Sequence, residues 1–161
     1  MFEDRLAAGQ ALTAELSDYD HSPDAIVLAL PRGGVVVGFA IHRALDLPLD
    51  VFITRKLRAP ENPEFALGAL TETGYRFVNP DVQGWAADPW AESYLARETE
   101  HQRLEIDQRK QLYRSGRDLS GIAGRTVLLV DDGVATGSTV IAAVRGLRVL
   151  GPAQIVVAAP V

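Results

Sequence analysis

The sequence contains no cysteine. That single absence removes disulfides, thiolate zinc sites and thiol nucleophiles together, and it fits a cytoplasmic chain. No apolar run approaches the ~18 residues that a membrane helix needs. The N-terminus, MFEDRLAAGQ, is charged from its third residue, unlike a secretory leader. No membrane partner is expected. A surplus of positive charge is also missing: 16 Lys and Arg stand against 21 Asp and Glu, a net charge of -5. A non-specific nucleic-acid binder usually carries the opposite sign. Neither G-K-[ST] nor G-x-G-x-x-G occurs, so the P-loop and dinucleotide fingerprints are absent. Internal repeats and low-complexity segments are absent as well.

What remains is ordinary globular material. With 161 residues, 47% of them hydrophobic and 23% charged, the chain has the length of one domain and enough apolar residues for a core. Residues 2–19 read as a helix with Phe2, Leu6, Leu12 and Leu16 near one face. A turn at His21–Asp24 precedes AIVLAL (25–30), a continuous apolar run of the kind found in strands buried on both faces. PRGG (31–34) breaks it, residues 35–45 read as a helix, and LDVFITRKL (49–57) as one strand. This strand–helix–strand unit predicts a parallel sheet with a right-handed crossover.

Further on, FALGAL (65–70) and YRFVN (75–79) flank a turn and predict a hairpin. Residues 90–114 predict a long polar helix, its apolar members too sparse for a core helix. A lid and a charge-laced surface or dimer arm fit this segment equally well. TVLLVDD (126–132) is the next buried strand, 133–138 a loop, 139–150 a helix and 153–161 a last strand. Four apolar strands alternating with helices indicate an α/β domain. Its sheet is open, mainly parallel and flanked by helices, with the hairpin and the polar helical arm inserted.

The strongest chemical signal is VLLVDDGVATGSTV (127–140). A buried strand delivers Asp131 and Asp132 to its carboxyl end, where ligands of open α/β sheets bind. Ala135, Thr136, Gly137, Ser138 and Thr139 then lead into a helix N-terminus, whose free N–H groups and dipole favour an anion. Phosphate alone sits poorly beside two carboxylates. A hydroxylated sugar linking the two resolves the conflict, because carboxylates accept hydrogen bonds from adjacent hydroxyls, and a sugar 5-phosphate fits. For the bare pattern D-D-G-x-x-T-G, a strand-end turn with Asp caps explains the residues as well. His21, His42 and His101 show no metal-ligand spacing.

VLLVDDGVATGST resembles the phosphoribosyl pyrophosphate signature of type I phosphoribosyltransferases, and the resemblance extends over most of the chain. It implies that Asp131 and Asp132 hold the ribose 2- and 3-hydroxyls and that Ala135 through Thr139 hold the 5-phosphate. ALPRGG (29–34) is similar to the family's pyrophosphate loop. Gly33 and Gly34 permit its backbone and Arg32 supplies charge; the resemblance also implies a cis peptide near Arg32–Gly33. Thr54-Arg55-Lys56 is similar to the Arg-Lys that follows this strand in adenine and orotate enzymes, with Arg55 and Lys56 set to neutralise pyrophosphate. Solvated surface cations are the alternative.

The implied reaction displaces pyrophosphate from C1 of the sugar by a nitrogen of a small base. Mg2+ is the implied cofactor, bridging pyrophosphate and ribose oxygens, with Asp131 and Asp132 as indirect metal partners. The family's dimers imply a homodimer. In 6-oxopurine enzymes an acid stands three residues after the paired acids; here that residue is Ala135, so hypoxanthine and guanine are not the expected acceptors. The expected organisation is a single domain over residues 1–161. The family usually continues beyond such a strand into a hood over the acceptor, and this chain is expected to lack that segment, either as a truncated chain or as a domain of a longer, fused protein. The competing function is a non-catalytic module that binds phosphoribosyl pyrophosphate or a nucleotide and regulates.

Overall fold

The computed structural model describes residues 2–62, 65–135 and 137–160. In chain order the helices are α1 (Arg5–Glu15), α2 (Gly33–Leu45), α3 (Gln83–Ala86), α4 (Pro89–Arg114) and α5 (Ser138–Arg148). The strands are β1 (Ala25–Ala29), β2 (Leu49–Val51), β3 (Thr54–Arg58), β4 (Ala66–Thr71), β5 (Arg76–Val78), β6 (Thr126–Val130) and β7 (Gln154–Ala158). The chain divides into two compact units. One comprises Met1–Phe52, Leu119–Ala135 and Leu150–Val161; the other comprises Ile53–Asp118 and Thr136–Val149. No helix among the described residues is long and apolar enough to cross a membrane.

The first unit holds a four-stranded sheet in the order β2-β1-β6-β7, with every pair parallel. All five residues of β1 are buried. Successive side chains of a strand face opposite ways, so both faces of this sheet are covered, as the unbroken apolar run predicts. Helix α2 turns Val37, Ile41 and Leu45 into a core with Val27, Leu128 and Val130; their spacing of four is one helical face. The expected helix start at residue 35 moves to Gly33, so both glycines of PRGG form the first turn.

Helix α1 keeps half of its expected face: Leu16 is buried in the core and Leu12 packs against it. The other half is not buried. Phe2 and Leu6 are 43% and 44% exposed, while Ala8 and Gly9 are buried. A Cβ on Gly9 would stand 2.6 Å from the Ala40 Cβ and 2.8 Å from the Val37 carbonyl oxygen. The helix therefore lies directly on α2 through its small residues. That close approach leaves the bulkier Phe2 and Leu6 at the surface.

The predicted strand 49–57 is two strands. β2 pairs parallel with β1, and β3 pairs antiparallel with β4. The change falls between Phe52, whose N–H donates to the Ala29 carbonyl at 3.0 Å, and Ile53, whose N–H donates to the Glu72 carboxylate at 2.8 Å. Both residues are fully buried, so apolar periodicity carried no sign of the switch.

In the second unit β3, β4 and β5 form an antiparallel meander. The expected hairpin is present: Gly74 adopts φ +83° in the turn, and Thr71 N–H donates to the Tyr75 carbonyl. Helix α4 starts at an Asp88 cap with Pro89 in its first turn and stops at Ser115 in the left-handed region. It packs against β3 and β4. Its buried residues, Ala91, Leu95, Gln102, Ile106 and Arg114, include two polar side chains, which is why an apolar count made it look like a free arm.

Candidate active site

Two motifs separated by most of the chain meet in the first unit. β1 and β6 are adjacent, parallel and in step, Ala25 opposite Thr126 and Ala29 opposite Val130. Their carboxyl ends therefore release Leu30-Pro31-Arg32 and Asp131-Asp132 at the same level. The ladder runs one bond further, since Leu30 N–H donates to the Val130 carbonyl at 2.8 Å, and Asp131 N–H donates to the Ala158 carbonyl of β7 at 3.2 Å. The peptide between Pro31 and Arg32 is cis, one bond before the position the resemblance suggests.

Both glycines stand in close contact with the paired-acid segment. A Cβ on Gly33 would lie 1.8 Å from Oδ2 of Asp132, and a Cβ on Gly34 would lie 2.7 Å from the Val130 carbonyl oxygen and 3.0 Å from the Asp131 Cα. The start of α2 is thus pressed against the paired acids. Asp131 uses Oδ1 to accept the Asp132 N–H at 2.9 Å. Asp132 accepts a charge-assisted hydrogen bond from Arg5 Nε at 2.7 Å. Arg32 is exposed and its carbonyl accepts the Val35 N–H. No side chain caps α2, so its Gly33-Gly34 start has no side-chain acceptor of the kind that usually occupies a helix N-terminus.

Of the remaining expected site residues, Ala135 ends a segment of the first unit, and Gly137, Ser138, Thr139, Arg55 and Lys56 belong to the second. The loop after Asp132 passes from one unit to the other at Ala135, which is exposed. Thr136 lies outside the described residues. Gly137 takes φ +77° at the head of α5, a backbone that favours glycine, and its carbonyl accepts the Ile141 N–H at 2.8 Å. Ser138 is buried and Thr139 half-buried in the first turn of α5, which also has no side-chain cap.

Arg55 and Lys56 are neighbours on β3 and so lie on opposite faces of it. Lys56 is exposed. Arg55 instead donates from Nε to Gln102 Oε1 at 2.9 Å and lies 3.7 Å from Glu105. Burial lowers the pKa of Arg55 from its usual value, Arg109 adds to that, and Glu105 opposes it. The grip on β3 comes from one stripe of α4. Tyr94 donates its hydroxyl to the Arg58 carbonyl, Glu98 accepts the Arg58 N–H, and Gln102 donates to Glu98 while holding Arg55. Tyr94, Glu98, Gln102 and Glu105 follow spacings of four, four and three, a helical face written in polar residues. Sequence reasoning missed them, although that periodicity was the available signal. It also missed Arg5, for which the sequence holds no local signal.

Comparison with known proteins bears on this geometry. The sequence profile of the phosphoribosyl transferase domain matches residues 2–161. The chain belongs to the phosphoribosyl transferase domain family. Among curated relatives are Mycobacterium tuberculosis proteins, from strains CDC 1551 and H37Rv, that carry a provisional phosphoribosyl transferase name. They are 40% identical over all of this chain, which spans 36% of their length. A Thermus thermophilus crystal structure, TT1426, is 43% identical with a TM-score of 0.76 and covers 99% of this chain and 74% of that one. A purine phosphoribosyltransferase from Pyrococcus horikoshii is 17% identical with a TM-score of 0.54, covering 94% of this chain and 68% of that one; at that distance it supports the fold alone. The fold is that of type I phosphoribosyltransferases, with a parallel sheet flanked by helices and an added antiparallel sheet.

Proposed function

We propose that this chain binds 5-phosphoribosyl 1-pyrophosphate and transfers its phosphoribosyl group to a nitrogen of a small base. The observation that carries the reading is the contact between Gly33 and the Asp132 carboxylate. It sets a capless helix start, suited to phosphoryl oxygens, against a carboxylate suited to hydroxyls, and a phosphorylated sugar carries both kinds of group.

In the reaction the bond from C1 to the pyrophosphate oxygen breaks. A bond from C1 to the acceptor nitrogen forms, and that nitrogen gives up its proton to solvent or to the departing pyrophosphate. Charge develops on the sugar ring and on the leaving group, so the protein's part is positioning and electrostatic stabilisation. Asp131 and Asp132 accept the ribose hydroxyls. Gly33 and Gly34 offer backbone N–H groups to pyrophosphate, with Arg32 beside them. The resemblance gives Ala135 to Thr139 the 5-phosphate and gives Arg55 and Lys56 the leaving group's charge; of these two cations Lys56 is the exposed one, while Arg55 is held by Gln102 and Glu105.

Mg2+ fits the donor set. Asp131 and Asp132 are hard oxygen donors, and magnesium takes one or two carboxylates together with substrate oxygens and water. Among the described residues no cluster of three or more acids or histidines is placed to hold a metal by itself; Asp131 and Asp132 would hold it together with oxygens of the bound ligand. When bound, magnesium neutralises charge on pyrophosphate. With Ala135 in place of an acid, the acceptor is a base other than a 6-oxopurine.

Isothermal titration of phosphoribosyl pyrophosphate with MgCl2 tests the reading. Wild type is expected to bind, and Asp131→Asn/Asp132→Asn to lose binding while remaining folded. Equal binding by the two would overturn the site. Release of pyrophosphate in an acceptor-base screen then separates transfer from the alternative of binding without turnover.

A further inference from the structure

We propose that Arg5, at the first position of α1, is a further residue of this site, one that positions the Asp132 carboxylate and offsets its charge. This rests on the reading of Asp132 given above. The geometry begins with Asp4, whose side chain caps α1 by accepting the Ala7 N–H at 2.8 Å. One turn after Arg5, Gly9 seats the helix on Val37 and Ala40 of α2. With the cap and the seat both set, Arg5 reaches Asp132 Oδ2 through Nε at 2.7 Å.

An ion pair at an open surface contributes little, and the Arg5 side chain is 60% exposed. Its partner, however, is only 29% exposed and is confined on its other side by Gly33, whose missing Cβ would stand 1.8 Å from the same oxygen. The oxygen that Arg5 holds is the one the glycine makes room for. Arg5 thus fixes the rotamer of a carboxylate that must meet a sugar hydroxyl. It also supplies the positive charge that lets two adjacent carboxylates face a polyanionic ligand. Beyond Nε the Arg5 guanidinium carries two terminal amino groups with four further N–H donors.

The test is a double-mutant cycle in the intact chain, read by titration of phosphoribosyl pyrophosphate with MgCl2 and by the thermal midpoint. Arg5→Gln is expected to weaken binding about tenfold with its midpoint unchanged. Arg5→Lys is expected to keep most of the affinity, because it keeps the charge at the same place. Asp132→Asn is expected to weaken binding, and adding Arg5→Gln to it to cost nothing further, the mark of two residues acting as one. Wild-type affinity in Arg5→Gln beside a weakened Asp132→Asn would overturn the proposal and leave Arg5 as a surface ion pair. A lowered midpoint with equal losses in Arg5→Gln and Arg5→Lys would also overturn it, assigning Arg5 to anchoring the helix. Wild-type affinity in Asp132→Asn would overturn the site reading itself, and the role of Arg5 with it.

Discussion

Gly33 and Asp132 occupy space that a single added methyl would contest: its carbon would fall 1.8 Å from the carboxylate oxygen. The obstacle is the end of a partly exposed side chain, which can rotate away. Gly33→Ala is therefore expected to leave the fold intact and to displace the carboxylate from its place. The measurable result is a loss of phosphoribosyl pyrophosphate affinity of about tenfold, with the thermal midpoint within a few degrees of wild type. Unchanged affinity would mean that the position of this carboxylate does not matter to the ligand.

The neighbouring glycine makes a different prediction. A Cβ on Gly34 would press on the Val130 carbonyl and the Asp131 Cα, backbone atoms of a central strand that cannot swing aside. Overpacking of this kind costs about 1–3 kcal/mol, and a chain of this size loses about 2–4 °C of midpoint per kcal/mol. Calorimetry of Gly34→Ala should show a clear fall, in contrast to Gly33→Ala. Equal midpoints for the two variants would contradict the contact geometry.

Glu72 supplies a prediction in pH. It is buried in the second unit, donates nothing, and accepts from Ile53 N–H and from Arg114. Burial raises its pKa above its ordinary 4.5, partly opposed by the Ile53 N–H and by Arg114. A raised carboxyl pKa means that the folded chain binds the proton more tightly than the unfolded one. Its contribution is fully present below pH 4.5 and is lost as pH rises through the folded value, by up to about 1.4 kcal/mol per pH unit. In denaturant melts, the stability of wild type minus that of Glu72→Gln should fall as pH rises from 4 to 7. A rise would show that attraction to Arg114 outweighs burial.

Much of this was legible from the residues. The buried β1, the hairpin around Gly74 and the acids after β6 each announced themselves locally, by an unbroken apolar run, a turn glycine and adjacent charges. What failed were features whose cause lies elsewhere in the chain. The switch of sheets between Phe52 and Ile53 leaves no mark in two equally apolar side chains. The packing of α1 through Ala8 and Gly9 depends on what α2 offers at Val37 and Ala40. The docking of α4 through Gln102 hides because a buried polar residue reads as a surface one until its partner, Arg55, is placed. Arg5 belongs to the same class: an N-terminal cation becomes a site residue only through a carboxylate contributed near the other end of the chain.

The pairing of β1 with β6 also sets an order of events. Ala25 waits for Thr126, about 100 residues later, and closing so long a loop costs entropy before any contact repays it. The meander of β3, β4 and β5 is built from neighbours in sequence and can form early. On a ribosome, β1 emerges together with its neighbour β2 but long before β6, its partner on the other side, exists. The segment that carries both halves of the proposed site at its ends is thus closed by a long-range pairing, the kind of contact that slows folding.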